Sequence, residues 1–457
     1  MKRFRTCSLE QPLLMAPSLQ DWLPEDHLSR FIARVVAALD LSEIIQHYGR
    51  KDGRGKSAYH PEMMVRVLLY GYAVGKRSSR GIEKATYEDV AFRYLSADQH
   101  PDHDSIAEFR KVQLEALSGL FFQALRLCQK AGMVKLGQVA IDGTKLAANA
   151  SRRQNKNYKR LSEKEAALVA EVERLMEEAD RVDQQEDDLY GKGRRGDEMP
   201  AELSTAQQQL EKIQAAKREL EREAKAKADQ AEREKAEQNG KPKDGAQRMR
   251  WSRAQDGVPA GQTQSNLTDP SSGLMLDGAT KAFVQGYNAQ VAAAGVPQII
   301  VAQTVVSDPT DRQQLQPMMQ LLEQTLGVTP ELTMADAGYW SESSIVEQQS
   351  KGRDLLVPPD RGPDKVTGQW AKNAPQGPAA QRMRQRLNDA GDKKRYQQRA
   401  GMVEPVFGMI KETLGYRRFM LRGLQKVKGE WAMICTAFNL LKLYRYGLPH
   451  QAEIQPA

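Results

Sequence analysis

Apolar residues are spaced differently in three parts of this chain, and the differences predict three kinds of element. From about residue 19 to 131 they recur at helical spacing, as in Phe31, Val35, Val36 and Leu39 and again in Met64, Val65, Leu68, Leu69 and Tyr72. Short polar breaks separate these runs. Arg77-Ser78-Ser79-Arg80-Gly81 precedes a helix containing Ile82, Ala85 and Val90, and Ser105 with Glu108 has the spacing of a capping box for another. From about 158 to 242 the chain is rich in Glu, Lys, Ala and Gln. There Leu161, Leu168, Val172, Leu175, Ala179 and Val182, then Leu203, Ala206, Leu210, Ile213, Leu220 and Ala224, fall at seven-, four- and three-residue steps. The Gly- and Pro-containing segment 191–200 divides the two runs, which predicts an antiparallel helical hairpin. A dimer-forming coiled coil or a spacer resting on DNA fits the same pattern.

The remaining segments read as strands of a mixed sheet with helices between them, an α/β class. Val139-Ala140-Ile141 and Leu332-Thr333-Met334-Ala335 are short apolar runs of buried-strand length. Further strand-like pieces lie at 264–267, 274–276, 282–291, 298–306 and 355–358. Within 282–291 the polar Asn288 and Gln290 alternate with apolar neighbours and either approach a ligand or face solvent. Asp308, Asp311 and Arg312 read as a turn before a helix through Leu315, Met318, Met319 and Leu322. The basic, Gly- and Pro-rich stretch 359–395 reads as a DNA-facing loop, and Pro405 as the first turn of an amphipathic helix carrying Val406, Phe407, Met409, Ile410 and Leu414. The segment 431–441 is too short to span a membrane and reads as a buried helix.

Two acidic residues end the two apolar runs, Asp142 in GQVAIDGTK and Asp336 in LTMADAGYW, and a third, Glu404, stands before Pro405 in VEPVFGMIK. Carboxylates on two strands and a helix can converge. Hard divalent ions take oxygen ligands and leave room for phosphate oxygens, so such a set points to a phosphodiester substrate. The charge balance agrees with a nucleic-acid partner: Lys+Arg 67 against Asp+Glu 59 gives +8 over 457 residues. Basic residues crowd the region of the third acid, including Arg382, Arg384, Arg386, Lys393, Lys394, Arg395, Arg417, Arg418 and Arg422. The cluster His100, Asp102, His103 and Asp104 matches no closed zinc set and reads as a loop that caps the next helix. Cys7, Cys128 and Cys435 are few and far apart, which suggests neither a disulfide framework nor a thiolate zinc site. With no secretory signal in MKRFRTCSLEQ, a cytoplasmic location is expected.

Together, Ile141-Asp142-Gly143-Thr144-Lys145-Leu146-Ala147-Ala148-Asn149-Ala150-Ser151, Asp336-Ala337-Gly338-Tyr339, and Tyr396 with Arg399, Glu404 and Lys411 resemble the DDE transposases of bacterial insertion sequences, in particular the group numbered eleven eighty-two. Asn266-Leu267-Thr268-Asp269-Pro270 and Gly286-Tyr287-Asn288-Ala289-Gln290 look like further motifs of that group. The resemblance implies a ribonuclease-H-like catalytic core in which Asp142, Asp336 and Glu404 bind Mg²⁺, with Mn²⁺ as a substitute, while Lys145, Tyr396, Arg399 and Lys411 contact DNA phosphate. It also implies terminal repeats and target DNA as partners, and a homodimer or larger assembly that pairs two ends.

The expected organisation is a helical DNA-end-binding domain over 1–131, the first part of the core over 132–157, the hairpin over 158–242, the rest of the core over 243–447 and a tail over 448–457. Compact helical dimerisation is the competing use of the first domain. One departure concerns spacing. Related enzymes place three residues between the Arg and the Glu, whereas Ala400-Gly401-Met402-Val403 supply four here. On a continuous α-helix Arg399 and Glu404 would then lie roughly 140° apart, so a helix break near Gly401 and Pro405 is expected. The activity expected is metal-dependent DNA cleavage and strand transfer; the alternatives are a nuclease that does not join ends and a DNA-binding protein with a disabled core.

Overall fold

The computed structural model describes residues 18–48, 58–190, 201–238, 258–278, 280–360, 362, 370 and 377–447. The N-terminal segment with Cys7, the hairpin connection 191–200 and the tail 448–457 lie outside the described residues, as does much of 361–376.

Seven helices precede the first strand: α1 (Leu28–Ala37), α2 (Ser42–Tyr48), α3 (Pro61–Ala73), α4 (Ser79–Glu88), α5 (Val90–Leu95), α6 (His103–Val112) and α7 (Leu114–Lys130). Their boundaries follow local chemistry. Ser78 caps α4 by accepting the Gly81 N–H at 3.2 Å, and Pro61 opens α3, where a missing N–H costs nothing. The cap of α6 is Asp102, which accepts the Ser105 N–H at 2.6 Å; Ser105, read from sequence as the cap, already lies inside the helix. A carboxylate with its charge beside the positive helix end outcompetes the hydroxyl three residues on.

After the strand β1 (Gln138–Ala147), the short β2 (Asn155–Asn157) pairs antiparallel with β3 (Gln264–Asn266) and closes the neck of a hairpin formed by α8 (Tyr158–Tyr190) and α9 (Ala201–Gln238). Leu161 packs with Ile213, Ala216 and Leu220. Tyr158 donates to Glu221 at 2.7 Å, and Glu165 pairs with Lys217 at 2.7 Å. Contacts that rise along α8 while they fall along α9 make the two helices antiparallel, as the heptad spacing predicts. Leu168, Val172 and Leu175 remain half-buried.

The main sheet adds β4 (Gly273–Leu276), β5 (Phe283–Ala294), β6 (Ile299–Val306), β7 (Leu332–Met334) and β8 (Leu355–Leu356). Its order is β4-β5-β1-β7-β8, with β6 also on β5. Strands β4, β6 and β1 run antiparallel to β5, whereas β7 and β8 run parallel to β1 and to each other. Strand β5 is buried from Gln285 to Ala294, on both faces. Helices α10 (Leu315–Leu326) and α11 (Glu342–Ser350) lie between the parallel strands in sequence, as crossovers require.

Strand β1 does not stop at Asp142, as the apolar run suggested, but continues to Ala147. Its partner β5 extends equally far, and Asp142 pairs with Val291. The stretch read as a loop instead holds α12 (Pro378–Asn388) and the start of α13 (Ala390–Gly408). Pro378 sits at the first turn of α12, and Ala379, Ala380, Met383 and Leu387 form its buried stripe. Asp389 caps α13 through the Gly391 and Asp392 N–H groups at 2.9 and 3.2 Å. The expected break near Gly401 and Pro405 is absent: α13 runs through both. Pro405 lacks an N–H for the Gly401 carbonyl, and Gln298 Nε2 donates to that oxygen instead, at 3.1 Å.

The last helix, α14 (Leu424–Tyr446), is buried almost throughout from Val427 to Leu443. It packs against α7, α3 and α1 and against β6 of the sheet, so the N-terminal helices and the sheet share one apolar core. No described helix is long and apolar enough to cross a membrane.

Candidate active site

In the parallel register of β1 and β7, Ala140 pairs with Met334. Asp142 and Asp336 stand two residues beyond that pair, each on its own chain, so two carboxylates emerge level with each other where β7 has ended. Both are held locally: Asp142 Oδ1 accepts the Gly143 N–H at 2.7 Å, and Asp336 Oδ1 accepts the Gly338 N–H at 2.9 Å. Burial pushes the Asp142 carboxyl up to about 6; Arg399 opposes the rise and Asp336 adds to it. Burial raises Asp336 as well, with Arg399 again opposing and Asp311 adding. These are two desolvated acids that repel each other and want a cation.

The cation nearest to Asp142 is Arg399 of α13, whose Nη1 donates to Asp142 Oδ2 at 3.2 Å. Its guanidinium carbon lies 6.0 Å from the Tyr396 ring centre, one turn earlier on the same helix. Trp370 meets that ring edge-on at 5.9 Å, and burial lifts the Tyr396 hydroxyl to about 12.

On a strand, neighbouring residues face opposite sides of the sheet. Gly143 and Lys145 therefore look toward their β5 partners Gln290 and Asn288. Between them lies Asp311, from the loop after β6. It accepts from Asn288 Nδ2 at 2.7 Å, from Gln290 Nε2 at 2.7 Å and from Lys145 Nζ at 3.3 Å. Gln290 in turn accepts from the Tyr339 hydroxyl. A Cβ on Gly143 would come within 2.3 Å of Gln290 Nε2 and 2.7 Å of Asp311 Oδ1, so only glycine leaves room for this network. Sequence reasoning took Asp311 for a turn residue. A single loop aspartate has no local signature, and only the buried polar pair on β5 hinted at a partner. Tyr339 and Trp340 are buried and pack in the core.

Glu404 is placed differently. Because α13 is continuous, it leaves the helix roughly 140° from Arg399. It is exposed, and among the described residues no three His, Cys, Asp or Glu side chains form a group able to hold a metal ion. Lys411 lies in a π-turn over Met409–Thr413 that follows α13, so its seven-residue step from Glu404 is not a plain α-helical one. Burial lowers its pKa, while the Asp277 carboxylate acts the other way; Arg417 and Lys145 are among its charged neighbours.

The other sequence motifs support this centre from outside. Asp269 accepts from the Tyr287 hydroxyl at 2.8 Å and from the Gly423 N–H at 3.0 Å. Buried Glu430 accepts the Met420 and Leu421 N–H groups, both at 2.9 Å to Oε2. Asn149 Nδ2 donates to the Met420 carbonyl at 2.8 Å. These bonds fix the segment 417–423, which bridges in parallel alongside the end of β1: Ala147 N–H meets the Arg417 carbonyl at 3.1 Å, and the Phe419 N–H meets the Ala147 carbonyl at 2.8 Å. Arg417 and Arg418 are exposed on it. Arg384 and Arg386 are not free to meet DNA, because they pair with Asp360 and with Asp354 and Asp392.

Two family models match the chain. One, described as "Transposase domain (DUF772)", covers 17–112, the region of α1 to α6; the other, described as "Transposase DDE domain", covers 364–444, which contains Tyr396, Arg399, Glu404 and Lys411. No curated protein and no solved structure matches significantly.

Proposed function

We propose that this chain, a DDE transposase by its two matched domains, cuts DNA at the ends of an insertion sequence of the group numbered eleven eighty-two and joins the freed 3′ ends to target DNA. The observation that carries the reading is the pair Asp142 and Asp336, one on β1 and the other just past the end of the parallel β7, both raised by burial, with Arg399 from the matched DDE stretch bonded to Asp142. The strand order, three antiparallel strands followed by two parallel ones across β1, supports a ribonuclease-H-like core.

The donor set suits a hard divalent ion. Asp142 and Asp336 offer oxygen only, and their charge is desolvated and incompletely balanced by one arginine. In this reading they hold Mg²⁺, or Mn²⁺ in its place, with Glu404 as the third carboxylate; the support for Glu404 is its position in the matched stretch and its exposed side chain. Such ions, when bound, stabilise the attacking and leaving oxygens of an in-line phosphoryl displacement.

The remaining work falls to the chain itself. Arg399, Lys145 and Lys411 hold backbone phosphate oxygens and developing negative charge. Tyr396 keeps the Arg399 guanidinium on the Asp142 side. Burial keeps water away from the carboxylates, which strengthens each of these electrostatic contacts. Residues 1–131 bind the transposon end, and a homodimer or larger assembly pairs two ends.

The test uses the full chain, a pre-cleaved end with a free 3′ hydroxyl, a target duplex and Mg²⁺. Joining supports strand transfer. Cleavage of intact ends without joining of pre-cleaved ones reduces the activity to that of a nuclease.

A further inference from the structure

We infer that Asp311 is a positioning residue of this site, holding the Lys145 ammonium where it acts on phosphate beside Asp336. The inference rests on the proposed role of Lys145. Three separate elements give up ordinary packing to build the arrangement. Strand β1 has glycine at 143, because Gln290 and Asp311 fill the space of a Cβ. Strand β5, central in the sheet, places two fully buried amides, Asn288 and Gln290, where apolar side chains would pack without any need for partners. The turn after β7 directs the buried Tyr339 hydroxyl onto Gln290.

All of these groups converge on one carboxylate. Asp311 receives both amides at 2.7 Å and Lys145 at 3.3 Å. The bland alternative, that Asp311 caps α10, does not hold: the N-cap of α10 is Gln314, and its first turn receives no side-chain bond. The amides orient the carboxylate and the carboxylate orients the lysine. Lys145 is only 12% exposed and Asp311 21%, so the pair is little screened. Asp336 is within electrostatic reach of both. Without its counter-charge the Lys145 side chain regains its rotamers and leaves Asp336.

The isosteric Asp311→Asn tests this, because it retains an Oδ1 acceptor for the two amides and removes both the charge and the Oδ2 acceptor that face Lys145. Single-turnover cleavage of a transposon-end duplex at saturating DNA is compared among the parent, Asp311→Asn, Lys145→Met, the double variant and Asp142→Asn. DNA affinity without divalent ions and the unfolding midpoint are measured alongside. The cleavage rate is expected to fall about 10- to 100-fold in Asp311→Asn, with affinity and midpoint near those of the parent, and Lys145→Met should add little to it. A merely structural role would instead move the midpoint and leave the two losses additive. A parent-like rate in Asp311→Asn, or multiplicative losses in the double variant, overturns the positioning role; if Asp142→Asn still abolishes cleavage, the site reading survives. Parent-like rates in all variants overturn both.

Discussion

Replacing Asp142 by Asn should stabilise the protein in the absence of divalent ions, and the gain should depend on pH in a defined way. In the folded chain burial raises the carboxyl from 3.8 to about 6, even with Arg399 beside it. At pH 8 the group is ionised in both the folded and the unfolded chain, so folding must hold an anion about two pKa units from its ordinary value. At 1.36 kcal/mol per unit this is a penalty of about 3 kcal/mol. An acid raised on folding binds more protons in the folded state. The penalty is therefore absent below about pH 3.8, grows between about 3.8 and 6, and is complete above about 6.

Asn keeps the shape and an acceptor for the Gly143 N–H but carries no charge. Urea unfolding in EDTA should show Asp142→Asn more stable than the parent by up to about 3 kcal/mol at pH 8, by roughly half of that at pH 5, and by little near pH 4. Added Mg²⁺ should stabilise the parent and not the variant, narrowing or reversing the difference at pH 8. An Asn variant no more stable than the parent at pH 8, or a difference that does not shrink with acid, refutes the reasoning.

Other substitutions probe the supports. Gly143→Ala places a methyl group 2.3 Å from Gln290 Nε2; it should cost about 1–3 kcal/mol in denaturant unfolding and depress cleavage beyond what the stability loss explains. Glu430→Ala strips the acceptor from the Met420 and Leu421 N–H groups, so hydrogen exchange should show early opening of 417–423 together with a loss of about 1–3 kcal/mol for each N–H left buried without a partner. Leu161→Ala opens a cavity at the base of the α8–α9 hairpin; it should destabilise the hairpin by about 2–5 kcal/mol, seen as hydrogen exchange that rises in 158–238 and not in the main sheet.

How much of this was legible in the sequence varied with the length and purity of the apolar pattern. The strands before Asp142 and Asp336 are continuous apolar runs because both of their faces are covered, and the hairpin shows its seam because two long helices bury one stripe each. The start of helix α13, from Ala390 to Arg395, was missed because this polar stretch has no apolar period; its stability comes from the Asp389 cap and from contacts of α12 and β1. Pro405 then looked like a helix start, although Gln298, more than a hundred residues away in sequence, compensates for its missing N–H. The polar alternation of Asn288 and Gln290 read equally as solvent-facing, since their partner Asp311 is brought in only by the chain fold.

The most direct test of the central claim compares cleavage and strand transfer by the parent with Asp142→Asn, Asp336→Asn and Glu404→Gln, on the element's own ends in Mg²⁺ and Mn²⁺. The account predicts that each variant loses both steps while binding the end with parental affinity. Joining retained by Asp142→Asn or Asp336→Asn would contradict it; joining retained by Glu404→Gln alone would remove Glu404 from the site and leave the two strand carboxylates as its core.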